Sequence, residues 1–243
     1  MPMGRNRSLA NINANKSTYT AYRGREVNPK DRRYRTYNRP VMVFDETGSM
    51  GYLKSGVQDD RPEFVIVSAI ILDRESFANV SSLFPKKNRA GFKYSNATAK
   101  DVKPIVEKLS RIDFTFSEIH RSRRNEAFMS NKDRIEFYVQ SISELMDFND
   151  PHTPFDVLID APPVNAVPEL ELLCAEKFEN GMELEWFEVK SSYGEKILQV
   201  HDFVTGLTGD YINGIESDKS KTFDKIIEKR RFRAHRFGCD CEK

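Results

Sequence analysis

Residues 63–72 read EFVIVSAIIL, apolar at nearly every position and rich in β-branched side chains. A strand with one wet face alternates polar and apolar residues. This one does not, so both of its faces must be covered. That requirement predicts a central strand with helices on both sides of its sheet. The rest of the chain can be read outward from it. Residues 41–45 (VMVFD) form a short buried strand, and residues 51–61 make a hairpin loop to 63–72, so the two strands are antiparallel. Residues 112–119 (IDFTFSEI) alternate as a half-buried strand does, and 155–160 (FDVLID) and 182–189 (MELEWFEV) supply two more. Helical spacing predicts helices over 73–83, 97–110, 125–148, 168–178, 196–211 and from 220 to about 233. Hairpins mixed with crossovers give an α/β fold: a mixed sheet flanked by helices, in an order that fits a ribonuclease-H-like sheet.

The charges are balanced, 38 basic against 37 acidic, which argues against a uniformly basic nucleic-acid binder. They are not evenly placed. Residues 1–40 hold ten basic and two acidic side chains, a net +8, so the remainder is −7. The expected organisation is therefore a basic N-terminal arm over 1–40 and one domain over 41–243. The arm has few aliphatic residues and no period, and is expected to be disordered or ordered only on a partner. In it Tyr19, Tyr22, Tyr34 and Tyr37 interleave with arginines. Arginine neutralises phosphates and tyrosine stacks on unpaired bases, which suits RNA or DNA; a solvated tail, or an arm docking a protein partner or a second copy of the chain, suits the pattern equally. A second basic run, 229–236, is read as the end of a C-terminal helix. No apolar run is long enough to cross a membrane, no secretory leader is evident, and three cysteines are too few for a disulfide framework. A cytoplasmic, reducing setting is expected. Cys174 reads as core filler. Cys239 and Cys241, one residue apart with His235 nearby, lack zinc-knuckle spacing.

The carboxylates carry the chemistry. Asp45 and Asp160 each end a buried strand, and Asp202 lies within an amphipathic helix. Aspartate is rarely buried unless paired, protonated or metal-bound. Three brought together repel one another, which a divalent cation relieves; oxygen-only ligation selects Mg²⁺ or Mn²⁺. Such ions activate water and stabilise the leaving oxygen in phosphodiester cleavage. An acid after a strand is also a common turn former or helix cap. On the 196–211 helix, Gln199, Asp202 and Gly206 share a small polar face suited to a metal cluster or a closely approaching phosphate.

Asp45-Glu46-Thr47-Gly48 after VMVF, then Ser191-Ser192 and the segment from Leu198 through Gln199 and Asp202 to Gly206, resemble the domain of unknown function 3800 family over roughly residues 41–212. That family shows an Asp-Glu-Ser-Gly motif at its first strand and a Leu-Gln-x-x-Asp helix near its end. The resemblance implies a ribonuclease-H-like, metal-dependent nuclease. By position, Asp45, Asp160 and Asp202 match its acids, with Glu46 and Gln199 beside them. Lys93, in Phe92-Lys93-Tyr94-Ser95, matches a lysine-bearing segment. Thr47 replaces the usual Ser, and His201, read here as solvent-facing, stands where a small apolar residue is common.

Adjacent strand residues point to opposite faces, so Asp45 and Glu46 share one metal only if the strand ends between them; otherwise Glu46 pairs with a cation such as Lys93. Glu118 and His120 end the 112–119 strand; His120 is either a proton shuttle or a surface residue before Arg121, Arg123 and Arg124. The expected activity is cleavage of RNA or DNA, with Asp45, Asp160 and Asp202 holding the ions and Glu46, Gln199 and Lys93 in support. The alternative is a catalytically inactive module binding nucleic acid or protein. It differs in letting the acids disperse or be satisfied by Arg and Lys.

Overall fold

A computed structural model of the chain describes residues 19–22, 25–26, 39–48, 63–122, 131–149, 154–161, 166–226 and 230–236. Among these, eight strands form one sheet. They are β1 (Tyr19–Tyr22), β2 (Arg25–Glu26), β3 (Val41–Thr47), β4 (Glu63–Ile71), β5 (Phe114–Ser122), β6 (Phe155–Asp160), β7 (Leu184–Lys190) and β8 (Arg231–Arg236). Their order is β2-β1-β7-β6-β3-β4-β5-β8. In the middle five, β3, β4 and β5 pair antiparallel in succession, while β6 lies parallel to β3 and β7 parallel to β6. The mixed sheet flanked by helices is as expected, and the apolar 63–72 run is indeed internal, between β3 and β5.

The helices are α1 (Arg74–Asn79), α2 (Ala99–Leu109), α3 (Asn131–Asn149), α4 (Val167–Glu179), α5 (Lys196–Ile212) and α6 (Phe223–Ile226). Two cores result, one on each side of the sheet. Val41 and Val43 of β3, with Val65, Val67 and Ala69 of β4, pack under α1, α2 and α5. Met42 and Phe44, with Phe64 and Ile66, pack under α3 and α4. The strand period of two thus feeds both layers from the same apolar segments.

Two expectations are corrected. The 220–233 segment is not one helix: α6 ends at Ile226, and Arg231–Arg236 is a strand parallel to β5. Without it, β5 would present an edge of unpaired N–H and C=O groups, and the sequence RFRAHR alternates as a strand does. Nor is the arm wholly outside the fold. Tyr19–Tyr22 pairs antiparallel with β7 and covers the opposite edge. Four residues, YTAY, suffice because the edge supplies the hydrogen-bonding partners. Arg25–Glu26 adds β2 beside β1. Apart from these strands and residues 39–40, the expected arm, with Tyr34 and Tyr37, lies outside the described residues, as do the 51–61 loop, Arg123, Arg124, Cys239 and Cys241. No helix among the described residues is long and apolar enough to cross a membrane.

Candidate functional site

Parallel pairing of β3 with β6 sets Phe44 opposite Ile159, so Asp45 and Asp160 follow at the same end of neighbouring strands. Strand spacing separates such positions by about 4.8 Å. Odd-numbered β3 residues face α5, and Asp45 follows Val41 and Val43 toward it. Asp202 comes down from α5, which packs across β3 and β4. Three elements distant in sequence therefore bring Asp45, Asp160 and Asp202 together. All three are buried or nearly so.

Each aspartate is held differently. Asp160 Oδ1 accepts the N–H groups of Ala161 (3.0 Å) and Ser192 (2.8 Å). Asp202 Oδ2 accepts the Tyr94 N–H at 2.6 Å. Asp45 Oδ1 accepts the Glu46 N–H at 2.9 Å, while its Oδ2 is buried with no hydrogen-bond partner. Lys93 Nζ stands 3.6 Å from Asp160 Oδ2 and 3.8 Å from Asp202 Oδ1.

The protonation equilibria follow from this crowding. Burial, then the charges of Asp160, Asp202 and Glu46, hold the Asp45 carboxyl well above the usual carboxylate range, with Lys93 opposing. Burial likewise raises Asp202, against the pull of Lys93 and the Tyr94 N–H. For Lys93 burial works against the charge, but four carboxylates outweigh it and raise its pKa. Lys93 thus stays an ammonium among acids that resist full ionisation.

Glu46 behaves as strand geometry dictates. It faces the other layer, where the Tyr138 hydroxyl of α3 donates to its Oε2 at 3.1 Å. Burial and the nearby Asp160 charge push its pKa up to about 8. The expected ion pair with Lys93 is not its contact; Tyr138 is. Gln199 is buried and lines a cleft of 280 Å³ with Gly91, Phe92, Lys93, Asp160 and Tyr193.

Gly206 does not leave room for a ligand. Its missing Cβ is replaced by Tyr94: a methyl there would lie 2.1 Å from Cδ1 and 2.4 Å from Cγ of that ring. Tyr94 is clamped along α5 by its N–H to Asp202, its ring on Gly206 and Phe203, and its hydroxyl donating to Asp210. Asp202, Gly206 and Asp210 recur every four residues, so one face of α5 is given over to the residue following Lys93. The four-residue spacing was visible in the sequence; that Tyr94 is its partner was not.

His201 is fully buried, not solvent-facing, and its Nε2 donates to the Val67 carbonyl at 3.1 Å. Burial lowers its pKa to about 4. Glu118 is buried in β5, and Val67 of β4 stands between it and Asp45, so two strand spacings, roughly 10 Å, separate the acids. His120 lies two residues further along β5; neither lines the cleft. Cys174 is buried core, as expected.

No set of three or more His, Cys, Asp or Glu side chains among the described residues forms a ready metal site. The donor chemistry nonetheless suits a hard divalent ion: all oxygen, an excess of negative charge, and a buried Asp45 oxygen without a hydrogen-bond partner. Compared with protein-family models, with curated proteins and with solved structures, the chain finds no match.

Proposed function

We propose that the chain is a divalent-metal-dependent nuclease of ribonuclease-H-like fold, related to the domain of unknown function 3800 family. The observation that carries this reading is the convergence of Asp45, Asp160 and Asp202 at the ends of two parallel strands, beside a cleft that Asp160 lines with Lys93 and Gln199. That is the usual place for a site on such a sheet. The order β5-β4-β3-β6-β7, antiparallel on one side of β3 and parallel on the other, supports the ribonuclease-H-like assignment.

Asp45, Asp160 and Asp202 would hold Mg²⁺ or Mn²⁺. Such an ion supplies an acidified water and charge stabilisation at the leaving oxygen. The backbone N–H groups of Ser192 and Tyr94 fix the orientations of Asp160 and Asp202. Lys93 keeps a positive charge between two of the acids and presents it to an incoming phosphate. Gln199 offers a polar group on the cleft wall. Glu46, protonated near neutral pH, limits the negative charge that a phosphate would meet.

One observation favours the second reading, a catalytically inactive binding module: Lys93 already neutralises part of Asp160 and Asp202. Cleavage of mixed RNA and DNA substrates with Mg²⁺ or Mn²⁺ separates the two. The nuclease reading expects metal-dependent products from the wild type and at least a hundredfold loss in Asp45→Asn and Asp202→Asn, on the scale of losing transition-state charge stabilisation. Activity surviving both substitutions would refute the site.

A further inference from the structure

The proposed chemistry leaves one wall of the cleft unused. In the loop joining β7 to α5, Ser192 is buried and its N–H is tied to Asp160 at 2.8 Å. The next residue, Tyr193, stands on the rim with 74% of its surface exposed. Its N–H donates to Ser191 Oγ at 3.3 Å, so its backbone is fixed one residue from a carboxylate of the cluster. Gly91 supports the ring from the facing segment: a Cβ there would come 3.3 Å from Cε2 and 3.5 Å from Cδ2. Lone exposed aromatics are common on protein surfaces. Tyr193 differs in its place, above a floor that holds Lys93, Asp160 and Gln199.

The cleft's 280 Å³ lies at the small end of the ~300–1,000 Å³ typical of ligand sites, enough for one nucleotide and too little for a base pair. A duplex keeps its base faces stacked inside, out of reach of a rim residue. An unpaired base presents a π-face, and aromatic side chains take it with little regard to sequence. Resting on the nuclease reading, we infer that Tyr193 is a stacking platform for an unpaired base next to the phosphate held over Lys93 and Asp160. The substrate is then single-stranded nucleic acid, or a single-stranded stretch of a longer one.

The test uses the full chain without divalent metal, so that binding is read apart from cleavage. The probes are a fluorescein-labelled single-stranded oligonucleotide of mixed sequence, in DNA and RNA forms, the same strand made abasic, and its duplex. Tyr193→Ala should weaken binding of the intact single strand about tenfold, while Tyr193→Phe stays within about twofold. The abasic strand should bind wild type and Tyr193→Ala alike. The salt dependence should not change, because no charge is removed. Equal affinity of Tyr193→Ala and wild type for the intact strand, or an equal loss in Tyr193→Phe, overturns the inference. Metal-dependent hydrolysis of bis(p-nitrophenyl) phosphate identifies which claim has failed. If the wild type hydrolyses it while Tyr193→Ala binds the strand normally, stacking alone is refuted. If the wild type neither hydrolyses it nor binds the strand, both readings fall.

Discussion

Gly209 lies in α5 directly over Thr47 of β3, and the fit between them can be put to a number. A Cβ added at Gly209 would stand 2.2 Å from Thr47 Cγ2, 3.1 Å from Oγ1 and 3.2 Å from Cβ. Carbon atoms rest at about 3.5–4.0 Å, so the methyl contact alone demands a shift of well over an ångström. Thr47 has few ways to give, since a β-branched side chain in a strand has few χ1 wells. Overpacking costs about 1–3 kcal/mol, and a contact as short as 2.2 Å belongs at the upper end, about 2–3 kcal/mol. Against it, alanine is favoured over glycine inside a helix by about 1 kcal/mol. Gly209→Ala should therefore destabilise the protein by about 1–2 kcal/mol, a fall in Tm of roughly 2–8 °C for a chain of this size. Thr47→Ser removes the offending Cγ2 and keeps the contacts at 3.1 and 3.2 Å. In that background the same Gly209→Ala change should be close to neutral, a coupling of about 1–2 kcal/mol in a double-mutant cycle. Urea denaturation of the four proteins measures it. A stabilising Gly209→Ala in the wild type, or an equal cost in both backgrounds, would show that the methyl contact does not set the approach of α5 to β3.

Other outcomes follow from the buried charges. In metal-free protein, Glu46 keeps its proton up to about pH 8 when folded, but loses it near 4.5 when unfolded. Between those values the folded state binds the extra proton, so stability falls as pH rises. Glu46→Gln, which still accepts from Tyr138, should gain on the wild type by about 3 kcal/mol across that window, less than the full shift because the side chain is partly exposed. Urea midpoints at several pH values should diverge, and parallel curves would refute the buried acid. His201 titrates the opposite way: folded near 4, unfolded near 6.5, so stability falls as pH drops from 6.5 toward 4. His201→Leu should reduce that acid sensitivity in thermal melts, and an unaltered acid limb would refute it. Arg74 of α1 pairs with the buried Asp156 of β6. Arg74→Met should cost about 3–5 kcal/mol by stranding that carboxylate, and adding Asp156→Leu should recover much of it. A double variant no better than the single one, by urea denaturation, would argue against an uncompensated charge.

The strands were legible in the sequence because burial on both faces leaves a continuous apolar run, and 41–45, 63–72 and 155–160 all became internal strands. The opposite orientations of Asp45 and Glu46 were likewise legible, since a strand's period of two fixes them locally. The edges were not. Arg231–Arg236 reads as a charged helix end until β5 is seen to need a neighbour, and Tyr19–Tyr22 reads as part of a tail until β7 does. His201 departs from its expected exposure for a similar reason. A histidine on a helix is polar in sequence, and only the carbonyl of Val67 beneath it lets it be buried.

The sequence by itself determined a layered α/β chain with acids at the ends of buried strands, because periodicity and burial are local properties. Only the tertiary structure decided what those acids meet. Lys93 lies between Asp160 and Asp202, Tyr138 under Glu46, Tyr94 against Gly206, and Tyr193 on the rim of the cleft. Each pairing joins elements far apart in the chain, and their encounter depends on how α3 and α5 lie on opposite faces of one sheet. No spacing in the sequence encodes that.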